Sequence, residues 1–420
     1  MMAAPTGRDI FNGGEDGAAP GALVLRFRLP IIALLLALPA TARGAPPCDL
    51  HAQSADQAGQ GCARAWLDAN LHLNEVQTVG TSESYKLRPS SSMLGLIRMG
   101  SAEDAHELDF AEPPIAAQLN MGARSLEFDV ANDPKGGLYS HPAGEMMAME
   151  LVSDKYIHDM SPPGFKVIHI LDIDFNSSCM TLVSCLQIVA GWSRAHPDHL
   201  PIVIGIRSND DKTPMPGATH PEKFDARAFD ALDANILSVF HPNEIITPDM
   251  VQGHYPNLRD AVLAHAWPTL AASRGKVIFL LDDPREKIAL YRASRRALER
   301  RVMFVATDTN SPAAAFVTIE DPVKSQSAIS NAVRAGFIVH TFADADTKEA
   351  RAGNTQRRDK AFASGAQMIS TDFLVADPQV GKYQVRVPGG HVAQCDMLLV
   401  PERCASLDAE SGRDSRVPGR

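Results

Sequence analysis

No C-x-x-C pair, H-E-x-x-H helix, G-x-G-x-x-G turn, Walker phosphate loop or G-x-S-x-G elbow occurs in the 420 residues. Closely spaced thiolate metal sites, zincin proteolysis, nucleotide binding and serine-elbow hydrolysis therefore have no motif to rest on. An excess of positive charge is missing as well: 40 Lys and Arg face 50 Asp and Glu, a formal net charge of −10. That balance argues against nucleic acid as a partner and against tight electrostatic adsorption to anionic membranes. Cysteine is absent until Cys48, and no fixed-period repeat or long low-complexity linker divides the chain.

The six cysteines fall as sequence-near pairs, Cys48 with Cys62, Cys179 with Cys185 and Cys395 with Cys404. An even count in this arrangement points to three local disulfides in an oxidising compartment, although spacing alone leaves the pairing open. Residues 21–45 carry Arg26 and Arg28, then an uncharged run from Leu29 to Ala40 and the small residues Ala40-Thr41-Ala42. This is the layout of a secretory signal cleaved near Ala42. A membrane anchor is the weaker reading, because the run contains Pro30 and Pro39 and is shorter than the roughly 20 apolar residues that span a bilayer. The expected organisation is thus an extension and signal over 1–42, one domain over 43–405, and a charged tail over 406–420 that is expected to be disordered. The product is expected to be secreted or periplasmic.

Past the signal, short apolar and β-branched runs alternate with longer Ala-, Leu-, Arg- and Lys-containing stretches. The pattern predicts strands over 75–81, 124–130, 166–171, 201–207, 276–282, 302–306, 337–342 and 367–371. Helices are expected over 179–195, 258–272, 285–299, 325–334 and 355–364. Strands joined by helices form a parallel sheet, and eight of them favour a closed α/β barrel of the TIM type over an open doubly wound sheet. In a barrel the chemistry belongs at the C-terminal ends of the strands.

Those ends are polar. Glu127 and Asp129 close an apolar strand and, at a period of two, point to the same side. Held close together, two such carboxylates suit a calcium ion or a basic partner; they also fit the description of solvated strand-end acids. His141 follows in a turn-rich loop, where it is either a proton donor to a leaving oxygen or merely exposed. After the first strand, Gly80-Thr-Ser-Glu-Ser-Tyr-Lys86 offers Glu83 as an oxygen ligand and Lys86 as a phosphate contact, or is an ordinary polar loop. His169, inside an apolar strand, reads as a core histidine unless the strand presents it inward. Asp172 and Asp174 either cap the next helix or face the site.

Taken together, LNEVQTVGTSESY at 73–85, GARSLEFDVANDPKGGLYSHPAG at 122–144, GFKVIHILDIDFNSSCMTLVSCL at 164–186, HPDHLPIVI at 196–204 and EARAGNTQRRDKAFASGAQMISTDF at 349–373 resemble the calcium-dependent phosphoinositide phospholipase C family. The resemblance implies the phospholipase C-like phosphodiesterase barrel and a metal-assisted mechanism with two histidines. The first takes the proton of the attacking hydroxyl, the second protonates the leaving oxygen, and calcium offsets charge on the phosphoryl group. Carried over, His141 is the acid, and Glu127 and Asp129 are the metal pair.

Other positions depart from that pattern. Ser82-Glu83 stands in place of the family's His-Asn, Arg207 in place of a strand-end Glu, and His340-Thr-Phe342 where arginines are expected. Serine is a poor base, which leaves Glu83 as the residue with suitable protonation chemistry. Glu83 also remains a third acidic ligand for calcium. Arg207 is expected to hold the carboxylates and a substrate phosphate at once, doing electrostatically what calcium does elsewhere. The expected function is a secreted phosphoric diester hydrolase acting on a phosphoinositide or another phosphodiester, with transient contact at a membrane surface and no obligate protein partner. The alternatives are a catalytically impaired barrel that binds an inositol phosphate or lipid headgroup, and a divergent glycerophosphodiester hydrolase.

Overall fold

Val76–Thr81 (β1) is buried at every position, as a strand packed on both faces must be. The computed structural model describes residues 48–52, 60–400, 404 and 406–413, so the expected signal over 1–42 lies outside the described residues. Nine further strands follow: β2 (Ser125–Ala131), β3 (Lys166–Val167), β4 (Ile202–Ser208), β5 (Val277–Leu281), β6 (Phe304–Val305), β7 (Phe316–Thr318), β8 (Ile338–Phe342), β9 (Met368–Thr371) and β10 (Ala393–Cys395). Parallel pairing runs β6-β5-β4-β2-β1-β9-β8-β7. A parallel bridge between Ala306 and Phe316 joins β6 to β7, so these eight strands close a TIM-type barrel. The β3 and β10 segments lie off this circuit, antiparallel to β2 and β1.

The expected strand at 166–171 is therefore corrected. Only Lys166–Val167 pairs, and the chain then turns between Ile170 and Asp174, with Asp172 at φ +69°. The eighth barrel strand is instead Phe316–Thr318, a three-residue element behind Ala313-Ala-Ala that is too short to show a period. The expected helix over 258–272 is divided into Leu258–Leu263 and Leu270–Ser273, with His265 at φ +54° between them. That over 285–299 stops at Arg292, before Ala293 at φ +48°.

Close approach of β1 and β2 depends on Gly80, which pairs with Ser125. A Cβ at Gly80 would sit 1.8 Å from Ser125 Oγ and 2.3 Å from the Ser125 carbonyl oxygen, so no larger residue fits this register.

Residues 406–413, expected as part of a disordered tail, instead pack under the barrel. Leu407 and Ala409 are buried, and Glu410 pairs with the buried guanidinium of Arg124. Arg274 donates to the carbonyls of Glu410 and Ala409 at 3.0 and 3.1 Å. Two arginines in need of acceptors hold this segment, which charge and composition alone marked as loose. The disulfides Cys48–Cys62, Cys179–Cys185 and Cys395–Cys404 form as the spacing suggested. Among the described residues no helix is long and apolar enough to cross a membrane.

Candidate active site

The C-terminal end of β2 brings Glu127 and Asp129 to the barrel mouth, where the neighbouring β4 places Gly205 and Arg207 in register with them. Gly205 makes room for the Glu127 side chain, since a Cβ there would lie 3.2 Å from Glu127 Cγ. Arg207 Nη2 then stands 3.6 Å from Glu127 Oε2, and its side chain remains 40% exposed. On the other carboxylate oxygen, Ser370 of β9 donates to Glu127 Oε1 at 2.8 Å, and His340 Nε2 of β8 lies 3.3 Å away. His340 Nε2 is also 2.9 Å from Ser370 Oγ, and its Nδ1 faces Asp282 Oδ2 at 3.6 Å. Thr318 of β7 donates to the same Asp282 oxygen at 2.8 Å.

Charge complementarity sets the protonation states of this group. Burial opposes ionisation of Glu127, but Arg207, then His340 and Ser370, outweigh it and hold the carboxyl below its usual range. Burial likewise opposes charge on His340, yet Asp282 and Glu127 raise its pKa to about 9. Glu127 thus stands as a carboxylate with a cation on each of its two oxygens.

A second chain of charges begins at the loop after β1. Ser84 Oγ accepts from Glu127 N–H at 2.8 Å and Ser84 N–H donates to the Glu127 carbonyl at 3.1 Å, which pins the loop to β2. Glu83 adopts φ +46°, a left-handed conformation uncommon for a residue with a side chain, and its Oε1 meets His169 Nε2 at 2.9 Å. His169 Nδ1 lies 2.9 Å from Asp174 Oδ2, which the fully buried Lys86 also reaches at 2.6 Å. With a carboxylate at each ring nitrogen, His169 is an imidazolium. Burial works against that charge, and Glu83 and Asp174 overcome it, raising the pKa to about 10. Tyr85 donates to Asp129 Oδ2 at 2.8 Å. Burial lifts Asp129 to about 6, and Arg207 and His169 offset only part of that rise.

Of the residues singled out from sequence, Glu127, Asp129 and Arg207 come together, and Glu83 joins them through the carboxylate and imidazole chain. His141 is exposed and makes no hydrogen bond or ion pair among the described residues. Its loop is nonetheless anchored: Asp172 Oδ1 accepts from Ala143 N–H at 2.9 Å, and the Asp172 carbonyl accepts from Gly144 N–H at 3.0 Å. Three of the charged participants were not selected. His169 read as a core residue unless its strand presented it inward, and the acid five positions after it, Asp174, was the signal that it is charged. His340 and Asp282 are single polar residues within or after apolar strands, and only the barrel circuit shows that they share a centre.

Glu83, Glu127 and Asp129 do not fit a calcium ion. Calcium takes six to eight oxygens, whereas Glu127 already faces two cations, Glu83 holds His169 and Asp129 holds Tyr85. Among the described residues no group of three or more His, Cys, Asp or Glu side chains is arranged to hold a metal ion.

A family model described as phosphoinositide phospholipase C, Ca2+-dependent, matches residues 71–397. Among solved structures, the chain is similar to a calcium-dependent phosphoinositol-specific phospholipase C from a Gram-negative bacterium, Pseudomonas sp. The identity is 15% and the TM-score 0.48, over 79% of this chain and 99% of that one. It is also similar to a Ca2+-dependent phosphatidylinositol-specific phospholipase C from Streptomyces antibioticus, at 16% identity and a TM-score of 0.46 over 74% and 98% of the two chains. No curated protein matches the chain.

Proposed function

The chain belongs to the Ca2+-dependent phosphoinositide phospholipase C family, and from this premise we propose that it is an exported phosphodiesterase whose mouth binds the substrate phosphate through Arg207. The observation that carries this reading is the half-exposed guanidinium of Arg207, 3.6 Å from the buried Glu127 and in register with Asp129. The Glu127 carboxylate lies against the fork and the charge of Asp129 adds attraction, which leaves donors free to meet the non-bridging oxygens of a phosphodiester. Charge that develops on phosphorus in an in-line displacement is then met by a fixed cation at low cost in reorganisation. Because a cation already occupies each side of Glu127, the reading does not require added calcium for turnover.

The substrate class is a phosphoinositide or a related glycerophosphodiester. His141 is the proposed acid for the leaving oxygen, on the motif that it shares with the family. Contact with a lipid surface is supported by Met146, Met149 and Leu151, which are 79%, 92% and 88% exposed on the same β2-to-β4 excursion that carries His141. Three disulfides support an oxidising compartment.

Ser82, standing where the family has a histidine, favours one further reading, a barrel that binds a headgroup without turnover. A panel of phosphatidylinositol, its phosphorylated forms and water-soluble glycerophosphodiesters, assayed with and without a calcium chelator, separates the two. We expect activity to survive chelation and to fall roughly 10²- to 10³-fold in Arg207→Ala. Loss of all activity on chelation, with Arg207→Ala unimpaired, refutes the clamp. Binding without turnover on every diester selects the headgroup-binding reading.

A further inference from the structure

Transfer of a phosphoryl group to a hydroxyl needs an acceptor for the hydroxyl proton. The two mouth imidazoles are poor candidates. His169 gives both ring nitrogens to carboxylates, and His340 gives Nε2 to Ser370 and turns Nδ1 toward Asp282. Glu127 is taken by cations, Glu83 by His169 and Asp129 by Tyr85.

A different pair stands at the ends of β1 and β9. Parallel pairing sets Thr81 opposite Thr371, and Ser82 N–H donates to the Thr371 carbonyl at 3.2 Å. The next residue along β9, Asp372, accepts from Ser82 Oγ at 2.6 Å through Oδ1. Asp344, just beyond β8, is fully engaged by the same turn: Asp372 N–H donates to its Oδ1 at 2.8 Å, and Thr371 Oγ1 donates to its Oδ2. Asp372 also borders a cavity of about 200 Å³ with Glu112, which is 5% exposed and has neither carboxylate oxygen hydrogen-bonded. Asp372 therefore lies at the end of β9 beside open volume, with Ser82 hydrogen-bonded to it.

We propose that Ser82 and Asp372 form the proton-accepting unit of the site, with Ser82 Oγ taking the substrate hydroxyl proton as it passes its own to Asp372 Oδ1. The proposal rests on the phosphodiesterase reading above. As the proton leaves, the substrate oxygen bonds to phosphorus, and the bond from phosphorus to the leaving oxygen breaks with its electron pair. The leaving oxygen takes a proton from the general acid, and Asp372 ends as a neutral carboxylic acid that releases its proton to solvent before the next cycle. No oxidant, metal or further reactant enters the balance.

The surroundings make Asp372 a strong base for a carboxylate. Burial, then Asp344 and Glu83, raise its pKa well above the usual range, against the hydrogen bond from Ser82. Glu127 adds to the rise, and the charge of Asp372 in turn raises Glu112 on the facing segment. The acceptor acts when deprotonated, so the rate rises with pH, with its ascending limb above the ordinary carboxylate range.

The test compares pH–rate profiles of the intact protein and four variants on the diester that the parent turns over fastest. Asp372→Asn and Ser82→Ala are expected to lower kcat roughly 10²- to 10⁴-fold with little change in KM, and to lose the parent's ascending limb. Asp372→Glu recovers part of the rate. Ser82→His in the Asp372→Asn background restores activity through a new limb near the ordinary histidine value of about 6.5. An active parent whose Asp372→Asn variant keeps the parent rate and profile overturns the proton-accepting unit alone. A parent inactive on every diester overturns the phosphodiesterase reading, and this inference with it. If Asp372→Asn fails to fold, Ser82→Ala, which removes one hydroxyl, decides: a parent-like rate and profile overturns the relay.

Discussion

Replacing His169 with glutamine removes a charge that two carboxylates hold in place, and the consequence for stability has a definite sign. In the folded protein the imidazole titrates at about 10, above its ordinary value of 6.5. A histidine whose folded pKa is raised stabilises the fold fully below the unfolded value and loses that contribution as pH climbs through the folded one. The gap corresponds to about 5 kcal/mol when the ring is fully protonated. Asp174 keeps Lys86 at 2.6 Å in the variant, so the loss concentrates on Glu83, which has no second cation at hydrogen-bonding distance among the described residues. Urea midpoints measured from pH 6 to 10.5 for both proteins provide the assay. His169→Gln is expected to start several kcal/mol less stable, with the difference shrinking steadily between pH 7 and 10. His340 and Asp372 titrate in both proteins and largely cancel from the difference. Parallel stability curves across that window would refute the imidazolium and with it the charge chain that fixes Glu83.

Other consequences are checked more briefly. Gly80→Ala is expected to cost about 4 kcal/mol or more, or to prevent folding, because its Cβ meets the Ser125 backbone; the urea midpoint reports it. Serine at Met146, Met149 and Leu151 together should weaken partition onto phosphatidylcholine vesicles on the order of 10-fold, measured by sedimentation, and leave turnover of a water-soluble diester unchanged. Glu410→Ala leaves Arg124, 3% exposed at its side chain, without its carboxylate, and is expected to cost about 3 to 5 kcal/mol in denaturant unfolding.

The barrel was legible because most of its strands are runs of five to seven residues rich in apolar and β-branched side chains, long enough to stand out from the helices between them. Phe316–Thr318 was not, since three residues carry no period and the segment from β6 to β7 is a turn-rich loop. The 166–171 run misled for the opposite reason. Its apolar residues cover a turn that presents His169 to Glu83, and a strand-like composition does not reveal the positive φ at Asp172. Within the site, Glu127 and Asp129 were readable from period and strand-end position, and Arg207 from the resemblance to the family. His340, Ser370 and Asp282 were not, because they come from β8, β9 and the end of β5, and only the closing of the circuit makes them neighbours.

The packed segment at 406–413 bears on how the protein is made. Arg124 lies at the start of β2, and its carboxylate partner arrives 286 residues later in the chain. While the polypeptide is still growing, every strand of the barrel has been synthesised before Glu410, yet the base beneath them still holds a guanidinium lacking that counter-charge. The finished fold is therefore favoured over nascent forms that lack Glu410 by an interaction that they cannot make.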